Sequence, residues 1–207
     1  MTLRLKRERR NATSEDWNKV VFSDETRVGL ASDGRVWVWR GPGERFHPDC
    51  IVSRNSCRKS IMYLRCITNN GHGDLLRCSN RMNSTEYLSI LENAAIQATP
   101  DFDLVFMDDN APIHRAQSVL QWKQDFNVTT LPWPAYSPDL NPIEEVWAYL
   151  KSRLNKLPKK IANLEDLHTA VTKIWNELSV SYIKKLYTSM PRRIKRCIAN
   201  RGFPTKY

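Results

Sequence analysis

Two short apolar runs in this chain end in acids. Val20-Val21-Phe22-Ser23-Asp24-Glu25 and Leu104-Val105-Phe106-Met107-Asp108-Asp109 have the pattern of buried strands that present carboxylates at their C-terminal ends. Around them the hydrophobic periodicity alternates between 2 and 3.6. Thr13-Ser14-Glu15-Asp16 predicts a helix start that carries Trp17 toward a first strand, Lys19 to Asp24. Arg27 to Leu30, the Ser32-Asp33-Gly34 turn and Val36 to Trp39 read as a hairpin, because Asp-Gly between apolar runs favours a tight turn. Residues 41 to 59 read as a loop, followed by a strand from Ser60 to Ile67. Asn69-Asn70-Gly71 then turns the chain into Asp74 to Cys78. Tyr87, Leu88, Leu91, Ala94, Ala95 and Ala98 have helical spacing, and Pro100 stops that helix. A strand at Leu104 to Met107, a helix at about Arg115 to Phe126 and a strand at Val128 to Leu131 follow.

The next helix carries another acid. Asn141 reads as its N-cap and Pro142 as its first residue, where a missing N–H costs nothing. Its apolar stripe is Ile143, Trp147, Leu150 and Leu154. Glu144 falls on the edge of that stripe and Glu145 on the opposite, wet side. Three more helical stretches, about 164–178, 180–189 and 192–200, predict a basic C-terminal cap.

In a chain with 22 acidic residues, the 34-residue interval between Asp109 and Glu144 arises easily by accident, so context must decide. Strand alternation does not separate Asp108 from Asp109, since both faces of that run are apolar. Composition adds a direction. Lys and Arg number 32, the net charge is +10, and basic clusters lie at Arg4 to Arg10 and at Arg192, Arg193, Lys195, Arg196 and Arg201, as expected of a partner to nucleic acid phosphates. Five cysteines without a C-x-x-C pair signal neither a disulfide frame nor a zinc site. No run of about 18 apolar residues suggests a membrane span. Phosphate-binding P-loop, zinc-protease and serine-hydrolase motifs are absent from the sequence.

Phe22-Ser23-Asp24-Glu25-Thr26, Asp109-Asn110-Ala111-Pro112-Ile113-His114 and Ser137-Pro138-Asp139-Leu140-Asn141-Pro142-Ile143-Glu144 resemble the three signature blocks of the mariner superfamily of DNA transposases, in its Tc-type, Asp-Asp-34-Glu branch. The resemblance extends to Trp17-Asn18-Lys19-Val20, Asp33-Gly34-Arg35-Val36-Trp37, Met82-Asn83-Ser84 and Ser189-Met190-Pro191-Arg192-Arg193. It implies an α/β, ribonuclease H-like fold: a mixed five-stranded sheet flanked by helices, with a helical C-terminal extension. It assigns the second catalytic acid to Asp109 rather than Asp108, leaving Asp108 an outer or surface acid. The implied domain plan is a linker remnant over 1–18, the catalytic domain over 19–160 and a basic helical extension over 161–207.

That family cuts element ends and transfers them into target DNA, so the implied partner is double-stranded DNA and the implied location is the nucleus. A homodimer, for which Trp37 and Trp39 are candidates, is a further implication. Asp24, Asp109 and Glu144 would be the catalytic, metal-binding carboxylates for two Mg²⁺ or Mn²⁺ ions, Asp24 bridging both. His114 and Asn110 are possible auxiliaries. Arg192, Arg193, Lys195 and Arg196 are candidate DNA contacts. Two departures stand out. The helix-turn-helix region expected ahead of the domain is missing, and Arg65 replaces a small residue within a strand, where burial carries a heavy desolvation penalty unless the charge is paired or reaches the rim. Both leave alternatives open: a decayed, non-catalytic DNA-binding remnant, or a nuclease without strand transfer.

Overall fold

Ten consecutive residues build the central strand, because Val20, Phe22, Thr26 and Val28 face one side while Val21 and Ser23 face the other, all of them buried. The computed structural model describes residues 9, 11–30, 41, 59–98, 105–133, 137–158 and 161–201, the side chains of 93–98 excepted. Chain order is α1 (Ser14–Asn18), β1 (Val20–Gly29), β2 (Ser60–Thr68), β3 (Gly71–His72), β4 (Leu76–Cys78), α2 (Ser84–Ala98), β5 (Val105–Met107), α3 (Gln117–Asp125), β6 (Thr129–Thr130), α4 (Ile143–Asn155), α5 (Leu164–Asn176) and α6 (Val180–Ala199). Single 3₁₀ turns cover Pro112–Arg115 and Pro138–Leu140.

The sheet is mixed, in the order β3-β2-β1-β5-β6, with β4 also paired to β2. β1 runs antiparallel to β2 and parallel to β5, which runs parallel to β6. Among the described residues six strands stand where five were expected, since Gly71 to Cys78 supplies two short ones. β1 outruns its expected end at Asp24 because it goes on pairing with β2 as far as Gly29, opposite Ser60. Trp37, Trp39 and the expected hairpin lie outside the described residues.

One face of the sheet (Val20, Phe22, Tyr63, Ile67, Met107) packs under α1, α4, α5 and α6. The other (Val21, Leu64, Cys66, Phe106) packs under α2 and α3. Three helices start on side-chain caps. A reciprocal Thr13–Asp16 capping box starts α1, and Asn163 and Ser179 cap α5 and α6 by accepting from Asp166 and Tyr182 N–H. Tyr187 of α6 sends its hydroxyl to the carbonyls of Val20 and Ile67, 2.8 Å from each, across the β1–β2 seam.

α6 is one helix where two were expected. Pro191 sits inside it; the hydrogen bond lost there is outweighed by an apolar stripe of Ile183, Leu186, Tyr187, Met190, Ile194 and Cys197, all buried, that continues through the proline. No helix among the described residues is long and apolar enough to cross a membrane.

Candidate active site

The β1–β5 register sets up the site. Phe22 pairs with Met107 in the last parallel row, so two residues beyond it Asp24 stands on β1 and Asp109 on the loop that leaves the adjacent β5. Alternation turns Asp24 toward α4, where Trp147 donates its indole N–H to Asp24 Oδ2 at 3.2 Å. Glu144 lies three residues earlier, almost one turn, on the same helix. Asn141, buried ahead of that helix, donates to the Ser23 carbonyl at 3.3 Å and tethers the helix start to β1. The helix begins at Ile143 with Pro142 as its N-cap, one residue later than expected.

The charges around Asp24 set its proton affinity. Burial, with the charges of Glu144, Glu25 and Asp109 around it, pushes the Asp24 carboxyl up to about 8. Surrounding protein also raises Glu144, which is nonetheless open to solvent along much of its side chain, and Lys151 partly offsets the rise. Asp109 is exposed and held below the usual carboxylate range by the His114 imidazole, despite partial burial, with help from the Ala111 N–H at 2.8 Å. The three acids come from three elements, and Asp24 feels the charge of the other two. Among the described residues, no three His, Cys, Asp or Glu side chains are drawn tightly enough together to hold a metal ion.

His114 is buried and sits among three acids, Glu25, Asp108 and Asp109. Its Nε2 lies 3.0 Å from Glu25 Oε1, on the face of β1 opposite Asp24. Its Nδ1 lies 3.0 Å from Asp109 Oδ1 and 4.0 Å from Asp108 Oδ1, in line with neither, so these are ion-pair contacts rather than straight hydrogen bonds. Burial opposes its charge, but Asp109 and Glu25 outweigh burial and hold the imidazole at about 9. Asn110 braces the turn between Asp109 and His114. It adopts φ 63°, which Asn tolerates, donates to the Trp133 carbonyl and accepts from Arg115.

Three expectations need correction. Asp108 is not a surface acid: it is buried, 2.5 Å from the buried Lys123 ammonium, and accepts from the Asn110 N–H. Glu145 does not face water alone, since its carboxylate lies 3.8 Å from Arg193. Arg193 cannot meet a phosphate, because it is 2% exposed and bonds Ser189 Oγ and the Asp139 carbonyl, latching α6 to the loop ahead of α4. Arg192, Lys195 and Arg196 stay on the outer face of α6 with Lys184 and Lys185. Glu25, which competes with Asp24 on sequence grounds, takes a place of its own against His114 on the opposite face of β1, and its opposite strand parity was the available signal.

Arg65 is directly opposite Asp24 on β2 and is 2% exposed. Its head lies over Gly73, where a Cβ would fall 1.5 Å from Nη2. Nε and Nη1 have no hydrogen-bond partner, and burial lowers its affinity for the proton, partly offset by Cys66 and Asp74.

Residues 19–168 match the family model described as "DDE superfamily endonuclease". The Tc1 transposase of Caenorhabditis elegans is 35% identical over 200 residues, which cover 93% of this chain and 72% of that protein. The pre-cleavage Mos1 transpososome superposes with a TM-score of 0.74 at 21% identity, over 100% of this chain and 65% of that one. The Mos1 transposase catalytic domain with raltegravir and Mg superposes at 0.73 and 17% identity, over 99% and 97%. The chain therefore spans about two thirds of the full-length relatives, and these solved folds carry the ribonuclease H-like arrangement of sheet and helices described above. It belongs to the DDE superfamily endonucleases, as a catalytic domain of the Tc1/mariner type of transposase.

Proposed function

We propose that this domain cuts DNA at the ends of a mobile element and joins the freed ends to target DNA, with Asp24, Asp109 and Glu144 as its catalytic carboxylates. One observation carries the reading: Asp109 and Glu144, from two other elements, bear on the half-buried carboxyl of Asp24, and Trp147 is the one side-chain donor seen to bond it among the described residues. Carboxylates are hard oxygen donors of the kind Mg²⁺ and Mn²⁺ prefer, and their mutual repulsion is what a cation relieves, so the donor set fits divalent metal. The Mos1 catalytic domain, similar in fold, is known with Mg and with Mn. We assign two ions to these three acids. Bound there, they would neutralise the attacking and leaving oxygens of a phosphodiester.

The chain's own groups prepare that chemistry. The Trp147 indole fixes one oxygen of Asp24, the Ala111 N–H and His114 fix Oδ1 of Asp109, and Glu144 reaches the site from the first turn of α4. Both Asp109 and Glu144 are open to an approaching DNA backbone. The outer face of α6, with Lys184, Lys185, Arg192, Lys195 and Arg196, gives a cationic stripe suited to phosphates. Mos1 forms paired-end complexes with DNA; two copies of this chain would likewise hold two ends, in the nucleus.

Asp24→Ala, Asp109→Ala and Glu144→Ala should each abolish cleavage of labelled element-end DNA in Mg²⁺ or Mn²⁺ while the protein still retains DNA in a shift assay. Cleavage surviving in any one variant removes that residue from the set. Joined products from the unaltered chain support transposition, whereas nicks alone would reduce it to a nuclease.

A further inference from the structure

The imidazole of His114 spans two carboxylates, one on β1 and one on the loop that leaves β5. Nε2 contacts Glu25 Oε1 and Nδ1 contacts Asp109 Oδ1, each at 3.0 Å. Neither the ring nor Glu25 is free to wander. His114 is 2% exposed and lies against the Tyr87 ring, centroids 4.4 Å apart and planes 33° apart, while the Glu25 side chain is 14% exposed. Asp109 is the opposite: its side chain is 54% exposed, on a loop that has just left β5 and turns through a positive φ at Asn110. A loose carboxylate is thereby tied, through a rigid ring, to the middle of the longest strand in the described sheet.

We propose that Glu25 is a positioning residue for the reaction: by holding His114 it fixes the orientation in which Asp109 meets divalent metal. The inference rests on the assignment of Asp109 as a metal-binding acid. Glu25 touches no reacting atom in this scheme. It faces away from Asp24, on the side of β1 covered by Tyr87 and His114, and acts through geometry rather than charge.

Three substitutions in the full chain separate geometry from charge, with Mn²⁺ binding read by electron paramagnetic resonance and DNA cleavage read alongside. Glu25→Gln keeps an acceptor oxygen at the same reach and removes the charge. Glu25→Asp keeps the charge and withdraws it by one methylene. Glu25→Ala removes both. Contacts that orient the ligands of a metal are typically worth 10- to 100-fold in affinity. Accordingly, Glu25→Gln should bind Mn²⁺ within about threefold of the unaltered chain, and Glu25→Asp and Glu25→Ala should bind about tenfold or more weakly, at unchanged secondary structure by circular dichroism.

Equal binding by all three overturns the proposal. So does the reverse order, with Asp retaining and Gln losing affinity, which would make Glu25 a direct ligand or a charge donor. Glu25→Asp and Glu25→Gln change at most one group each, so the contrast survives even if Glu25→Ala does not fold. If the unaltered chain binds no Mn²⁺, the metal assignment of Asp109 fails and this inference falls with it. Normal binding by the unaltered chain with indifferent Glu25 variants sinks the inference alone.

Discussion

Replacing Arg65 with Met should make the protein more stable. Arg65 is 2% exposed, and two of its guanidinium nitrogens, Nε and Nη1, have no partner. Each buried, unpaired donor costs about 1–3 kcal/mol, so the pair costs about 2–6 kcal/mol. Met keeps the aliphatic stem, which packs on the sheet face, and deletes the head. The void left behind, on the order of 50 Å³, costs about 1 kcal/mol at about 24 cal/mol per Å³. A net gain of about 2 kcal/mol is expected, or a rise in Tm of roughly 4–8 °C for a domain of this size. Scanning calorimetry at pH 7 measures it. A Tm that stays level or falls would mean that the guanidinium is compensated after all. The same contact gives a sharper control. A Cβ on Gly73 would lie 1.5 Å from Arg65 Nη2 and 2.6 Å from Cζ. Gly73→Ala should therefore destabilise the unaltered chain and be tolerated in the Arg65→Met background, with a coupling energy of about 1 kcal/mol. Strict additivity of the two changes would refute the geometry.

Asp24 predicts a pH dependence. Its folded carboxyl holds a proton up to about 8 against 3.8 for the free group, so between those values the folded state binds a proton that the unfolded state has lost, and stability falls as pH rises. Each tenfold difference in proton affinity is worth about 1.4 kcal/mol. Asp24→Asn should flatten the Tm profile between pH 5 and 8 and lose any stabilisation by Mn²⁺ at pH 8; a profile as steep as that of the unaltered chain refutes this. Lys123→Met strands the buried Asp108 carboxylate and should cost about 3–5 kcal/mol in urea unfolding, largely restored by adding Asp108→Asn. A cost under about 1 kcal/mol would show the pair to be wet.

The strands and helices that frame the site could be read from periodicity because their apolar positions repeat: β2 and α2 lie almost where the pattern put them. The choice of Asp109 over Asp108 could not, since both follow the same apolar run. Their fates depend on Lys123 and His114, which approach from the next two turns of chain and leave no mark on strand alternation. Arg193 was misplaced for a related reason. A run of basic residues suggests a wet surface, yet one position in the run shares the buried stripe of Met190, Ile194 and Cys197, and helical spacing could have singled it out. Arg65 shows the reverse case: sequence alone exposed the conflict between an arginine and a strand interior, while the space over Gly73 that receives its head is a tertiary fact.

The Tyr187 hydroxyl, resting on the Val20 and Ile67 carbonyls, ties the last long helix to the first two strands. During synthesis those strands leave the ribosome long before their clasp does. The face of the sheet that carries Asp24 must wait, half covered, until a helix 167 residues downstream of Val20 has emerged, so a nascent chain completes that face long after it has made the strand itself.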